Sequence, residues 1–386
     1  MTRSIDGTCE NQRGPTDSSH VMKRSSRSFS IATRLLPLHL RSHVWGLYAW
    51  CRSVDDAVDQ APSAGEATAA LQQLEDDLER CRARQPIAHE ASVWIRPLIA
   101  DRRIDLLHAK ELIEGMRLDI EGFEVKDNAD LTRYCYHAAG TVGLMMTRLM
   151  GVDNRQADRH AVALGIAMQL TNIARDVRED AEMGRSYLPG ISRVLEADPH
   201  EIQRAVADVL ALAEEQYNMA LRGIRYLPPR CRLPIRVALE AYREIGREIQ
   251  RNQCSVLHGR TCLSKPRLVF VVMRAVLSTL RSDFSEFLCC IQTAVYRFLK
   301  DFIMHKPTDL DGNTGPSTVL QAKQTAFLGL SLTSIMATAL FVLVYINPKS
   351  ADYTYLPLVY AGCSLLASVL FHRLSCRCSA PTPEQL

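Results

Sequence analysis

The stretch MQLTNIARDVREDAEMGRSYLP, Met168–Pro189, decides how this chain is read. Wound as an α-helix at roughly 100° per residue, it returns Gln169, Asn172, Asp176 and Asp180 to one quarter of the circumference. Ile166, Ala167, Ile173 and Val177 surround that polar stripe with side chains suited to an interior. The spacing therefore predicts carboxylates facing inward, and buried carboxylates require cations.

A second stretch repeats the arrangement. In LYAWCRSVDDAVDQ, Leu47–Gln60, the residues Tyr48, Arg52, Asp55 and Asp59 share one helical face amid Leu47, Trp50, Val54 and Val58. Two helices thus each offer an Asp-x-x-x-Asp pair. Mg²⁺ keeps several waters and is usually held by one or two carboxylates together with substrate phosphates. Facing pairs of this kind suit a diphosphate held through Mg²⁺, with Mn²⁺ as a possible substitute.

Taken in order, YAWCRSVDDAVD, YCYHAAGTVG at Tyr134–Gly143, and QLTNIARDVRED followed by GRSYLP resemble the squalene/phytoene synthase family, most closely its bacterial phytoene synthase branch. The resemblance runs from about Ser25 to Lys265, roughly two-thirds of the chain. It implies an all-α, isoprenoid-synthase-type helical bundle that condenses two prenyl diphosphates head to head. Geranylgeranyl diphosphate would give phytoene through prephytoene diphosphate; farnesyl diphosphate, giving presqualene diphosphate, squalene or dehydrosqualene, is the alternative. A catalytically silent membrane assembly factor is the competing reading from another class, against which both aspartate pairs stand intact.

The resemblance also implies roles. Asp55, Asp59, Asp176 and Asp180 would bind metal and, with Tyr134 and Arg52, form the catalytic set. Ser26, Ser28, Tyr48, Gln169, Asn172, Arg175, Tyr187, Tyr242 and Arg260 would contact substrate. Read only as residues, Ser26 and Ser28 could equally be helix caps, and Arg260 a surface charge. Asp119 in GMRLD matches a family GM-x-x-D and is otherwise a residue of an exposed stripe. Arg178 departs from the pattern, standing where glycine is usual, but on the helix it lies about 160° from Asp180 and points away. No Gly-x-Gly-x-x-Gly unit is present, so no nicotinamide cofactor is expected for the leading reading.

Between Tyr134 and Met150, Ala138, Ala139, Gly140 and Gly143 strip bulk from successive turns. Glycine inside a helix costs about 1 kcal/mol relative to alanine, so the pattern needs a cause. Close helix packing is one; room for an isoprenoid chain lined by Val142, Met145 and Met146 is the other.

Composition bounds the partners. At 386 residues and 47% hydrophobic content the chain can bury a sizeable core, and 46 basic against 43 acidic residues leaves no nucleic-acid footprint. Twelve cysteines are scattered without paired Cys-x-x-Cys units, which favours a reduced compartment over a zinc framework. Gly65–Arg84 reads as a solvated surface helix without chemistry.

Residues 1–20 read as a mobile tail, 21–285 as the synthase domain, and 286–322 as an amphipathic helix and polar linker. Gln324–Asn347 and Tyr353–Phe371 carry no charged side chain, apart from a connector that holds Lys349 and Asp352. Each run is long enough to cross a hydrocarbon core. The expectation is a two-helix transmembrane hairpin over 323–375 with a tail at 376–386. Basic residues outside the hairpin place the catalytic domain on the cytoplasmic side of the membrane. The oligomeric state is not legible.

Overall fold

The computed structural model describes residues 27–283, with side chains from Ile31 onward. The expected tail at 1–20, the linker, the hairpin at 323–375 and the tail at 376–386 lie outside the described residues, as does Ser26; Ser28 is placed as helix backbone only. Every regular element among the described residues is helical. None of those helices is long and apolar enough to cross a membrane.

Among the described residues, side-chain caps start five of the helices. α1 (Arg27–Arg34) leads through Pro37 into α2 (Leu38–Asp59). Ser63 accepts from the Glu66 backbone N–H to open α3 (Ala64–Arg82), and α4 (Ser92–Ala100) follows. Asp105 caps α5 (Leu106–Ile120), and Asp127 caps α6 (Asn128–Cys135). A π-helical turn, Tyr136–Gly140, joins α6 to α7 (Thr141–Leu149). Asn154 caps α8 (Arg155–Arg175), from which the short α9 (Val177–Glu182) continues. Asp198 caps α10 (Pro199–Gly223), and Pro228 precedes α11 (Pro229–Arg251). In each side-chain cap an oxygen satisfies an N–H that the helix itself cannot.

The buried side chains gather in two main clusters. One joins α8, α10 and α11 around Leu170, Val206, Tyr217 and Leu239; the other joins α2 to α5 around Trp50, Leu74, Ile95 and Ile113. α8 packs against α7, α10 and α11 and is the central element. A final helical stretch, α12 (265–283), lies along α11 up to Thr279. Its anchor is Glu244, wholly buried, which accepts from Arg267 Nε at 2.8 Å and Arg251 at 2.6 Å and pairs with Arg247 at 3.3 Å. Burial pushes that carboxyl up, but the arginines outweigh it and hold it at about 2. The compact unit containing these helices ends at Thr279, and residues from Leu280 form a second unit.

Three expectations are corrected. The segment Met168–Pro189 is not one helix: α8 ends at Arg175, and Asp176 caps it at φ −102°, ψ 18°. The i to i+4 bond from the Asp180 N–H to the Asp176 carbonyl, 2.9 Å, bridges the break, so the aspartate spacing survives. Tyr134–Met150 is also not uniform, because the π turn inserts an extra residue just after Tyr134. Lastly, α3 is not simply solvated: Leu71, Leu74, Leu78 and Asp77 on it are fully buried.

Candidate active site

The two acidic stripes meet. Asp55 lies on the last turns of α2 and Asp59 is its final residue; Asp176 and Asp180 flank the start of α9. Burial raises the Asp55 carboxyl to about 6 against the pull of Arg52, and the charges of Asp59, Asp56 and Asp119 raise it further. Burial likewise raises Asp180 to about 8, reinforced by Asp176, Asp119 and Asp59 and opposed by Arg185. Carboxylates from α2, α5 and α9 thus feel one another across the bundle.

Arginines partly compensate this charge. Arg52 donates to Asp55 at 2.6 Å and pairs with Asp56 at 2.8 Å. Arg175 grips Asp176 with two donors at 2.7 and 2.5 Å, and Arg260 adds a second pair to the same carboxylate at 2.9 Å. Arg185 donates to Asp59 at 2.5 Å. Planar guanidinium groups suit such two-point contacts with carboxylates, and with phosphates.

Beneath the carboxylates sits an aromatic pair. Tyr134 and Tyr187 stack with ring centroids 4.5 Å apart, and both hydroxyls donate to Asp119, at 3.1 and 2.7 Å. Burial keeps both phenols above their usual range, so they remain neutral. Tyr187 belongs to the segment 183–192, which Gly184 and Gly190 turn with φ of +77° and +75°. The Arg185 N–H to Asp180 carbonyl bond and the Gly190 N–H to Val125 carbonyl bond hold that segment over the site. A cleft of about 740 Å³ opens against Asp119, Arg185, Tyr187, Phe123 and Val58.

The remaining expected residues divide. Gln169 and Asn172 share α8 and hydrogen-bond each other at 3.3 Å. Tyr48 lies one turn before Arg52 on α2 and interacts with it. Tyr242 of α11 is buried next to Arg175, so it supports that guanidinium. Arg267, which follows Arg260 in the chain, pairs instead with Glu244. Arg178 points outward as expected, to Glu182 and the Leu257 carbonyl.

Sequence reasoning left Asp119 and Arg185 outside the expected site residues. Asp119 is the acceptor that joins the tyrosine pair to the aspartates, and Arg185 bridges α2 to the glycine-bounded segment. The signals were GM-x-x-D and GRSYLP, both visible in the chain, but neither lies on an aspartate stripe.

The small residues of α7 serve packing. A Cβ on Gly143 would stand 2.3 Å from the Ala161 carbonyl oxygen, and one on Gly165 2.2 Å from that of Ala139, so the helices touch backbone to backbone. Met145, expected in a cavity wall, is fully buried in the core. Incompletely buried apolar side chains remain at Ala138, Val142 and Met146, and on α8 at Leu164 and Met168, in steps of four that lead to Asn172. On α8, Met168 and Leu164 stand about one and two turns before Asn172.

Divalent cations fit these residues. The Asn172 Oδ1 atom is buried without a hydrogen-bond partner, and Asp55 and Asp180 are acids held up by burial and by their shared neighbours Asp59 and Asp119. Among the described residues no three His, Cys, Asp or Glu side chains surround one point as a complete ligand set. Ions that complete their shell with water and phosphate oxygens need no such set.

A family model described as squalene/phytoene synthase matches residues 22–267. The chain is 37% identical to a 15-cis-phytoene synthase of Paracoccus sp. (strain N81106 / MBIC 01143), over 64% of this chain and 86% of that one. It is 36% identical to the 15-cis-phytoene synthase of Enterobacter agglomerans, over 66% and 92%. Among solved structures, a dehydrosqualene synthase in complex with ligand superposes with a TM-score of 0.61 at 28% identity, covering 69% of this chain and 95% of that one. A squalene synthase from Alicyclobacillus acidocaldarius does so at 0.54 and 26%, covering 61% and 94%.

Proposed function

The chain belongs to the squalene/phytoene synthase family, and from that premise we propose that it joins two geranylgeranyl diphosphates head to head, giving phytoene for carotenoid synthesis. The observation that carries this reading is the convergence of Asp55, Asp59, Asp119 and Asp180 on one another beside a neutral tyrosine pair. Acidic groups so placed can hold cation-bound diphosphate, while stacked phenols offer π faces and no strong nucleophile to a carbocation.

The overall balance is two prenyl diphosphates to one C40 hydrocarbon, two diphosphates and two protons. Each C–O bond breaks with its electron pair leaving on the diphosphate. Asp55, Asp59, Asp176 and Asp180, with Asn172, would hold the divalent cations, of which Mg²⁺ is the expected ion. When bound, such ions neutralise charge on the leaving group as Lewis acids. Arg52, Arg175, Arg185 and Arg260 supply fixed positive charge beside the same carboxylates. Leu164, Met168, Val142 and Met146 offer the prenyl tails an apolar wall that excludes water. Leaving diphosphate is the proton acceptor this residue set provides.

Farnesyl diphosphate is the second substrate reading, favoured by the structural likeness to a dehydrosqualene synthase. The purified full chain, in detergent or lipid with Mg²⁺, is incubated with each labelled diphosphate, with and without reduced nicotinamide. A C40 polyene from geranylgeranyl diphosphate, independent of nicotinamide, is expected. Product from farnesyl diphosphate alone would transfer the assignment to the C30 reaction, and no product from either would leave the assembly role.

The proposal extends to location. The charge-free runs 324–347 and 353–371 support a membrane hairpin, and the basic residues outside it support a catalytic unit on the cytoplasmic side. A polyene insoluble in water would then leave directly into lipid. Carbonate washing of membranes that carry the full chain tests the hairpin, since an integral protein stays in the pellet.

A further inference from the structure

α12 turns one face inward and another out. Val271, Ala275 and Thr279 are buried, Ala275 against Val237 and Ala238 of α11, whereas Val269, Phe270, Met273 and Leu277 are 63%, 55%, 54% and 63% exposed. Phe270, Met273 and Leu277 follow one another at steps of three and four, so they form a single row. Between 265 and 279 the charged residues are Lys265, Arg267 and Arg274, with no acid among them; Arg267 and Arg274 pair with Glu244 and Glu240 of α11. Arg267 also lies over the Phe270 ring at 5.5 Å. α1, whose Ala32 packs beside Ala275, leads into Leu38, which is 78% exposed.

We infer that the outward face of α12 is a membrane-docking surface, lying on an anionic bilayer with Phe270, Met273 and Leu277 among the lipid tails. The inference rests on the reading that this enzyme works at a membrane, and it adds a contact made by the catalytic unit itself. Three observations favour lipid over protein. Large apolar side chains in one row with a cation, Lys265, at its start are the pattern of a helix in the plane of the interface. Four side chains present on the order of 400 Å², about half of what each partner of a stable protein complex usually buries. The chain also carries two charge-free runs beyond residue 323, which would hold the unit close to a bilayer.

The test uses the full chain in vesicles containing anionic lipid with brominated acyl chains. Phe270→Trp places a reporter in the face; Leu107→Trp, at a site 56% exposed on α5, is the control, and the emission of Trp45, Trp50 and Trp94 is subtracted using the parent chain. Bromolipid is expected to quench the indole added at position 270 by about twofold or more while the control indole stays unaffected, as a side chain inserted among acyl chains requires. Quenching of the α12 reporter by aqueous acrylamide instead, its protection from both quenchers by another part of this chain or a second copy, or equal bromolipid quenching of both reporters would each overturn the inference. Carbonate extraction reports on the hairpin separately. A chain that washes off but shows a quenched α12 reporter keeps the docking face and loses the hairpin; a retained chain with that reporter unquenched does the reverse.

Discussion

Arg185 reaches across 126 positions of sequence to donate to Asp59 at 2.5 Å, with both side chains about four-fifths buried. The contact ties the segment that carries Tyr187 to the end of α2. Removing one partner of a buried pair leaves the other charge uncompensated. Arg185→Gln is expected to cost metal-free protein about 1–3 kcal/mol in denaturant melts, with much of the loss recovered on adding Mg²⁺. Turnover of labelled geranylgeranyl diphosphate should fall by about 100-fold or more, as for loss of a positioned cation. Unchanged turnover would remove Arg185 from the site.

Asp180 and Asp55 set a pH dependence whose sign follows from their raised positions, about 8 and about 6. An unfolded aspartate titrates near about 4, so between that pH and 8 the folded state holds more protons than the unfolded one. Stability of metal-free protein must then fall as pH rises through 6 to 8. Thermal melts in chelator should show that decline. Asp180→Asn should flatten it, and so should Mg²⁺; a slope of the opposite sign would contradict the crowded-carboxylate description.

Asp119 offers a separation of stability from activity. Burial and the neighbouring Asp59 raise its carboxyl despite two phenol donors and Arg185. Asp119→Asn keeps the shape and removes a charge from a crowded set. Metal-free melting temperature is expected to hold or rise by a few degrees, while turnover drops by about tenfold or more. Loss of both together would mean that Asp119 holds the fold rather than the site.

Gly165 tests the packing account of the small residues. Its added Cβ would meet the Ala139 carbonyl oxygen at 2.2 Å, where backbone must move. Gly165→Ala should therefore cost about 3 kcal/mol or more. Gly122→Ala, at φ +69° with open space around it, should cost about 1 kcal/mol through backbone strain alone. Equal losses in urea melts would refute the close approach of α8 to the π turn that leads into α7.

Asp77 predicts a loss at acid pH. Burial pushes its carboxyl up, but the N–H groups of His89 and Ala88, at 2.7 and 2.8 Å, together with Ser92 and Arg80, outweigh that and leave it below the usual range. Its contribution is present above about pH 4 and disappears as pH falls through the lowered value. Asp77→Ala should destabilise at pH 7 by about 2–4 kcal/mol, because several donors lose their acceptor, and the difference from the parent chain should shrink as pH falls through that lowered value.

The sequence by itself determined the helical class and the two aspartate stripes, because periodicity is a local property of consecutive residues. Only the tertiary structure decided that Asp119 receives Tyr134 and Tyr187, that Arg185 pairs with Asp59, that Gly143 serves packing, and that Asp77 is an interior cap. Each of these depends on how close two distant segments come. A chain's periodicity fixes which side of a helix a residue occupies, but the neighbour on that side is chosen by how the whole set of helices buries its apolar faces.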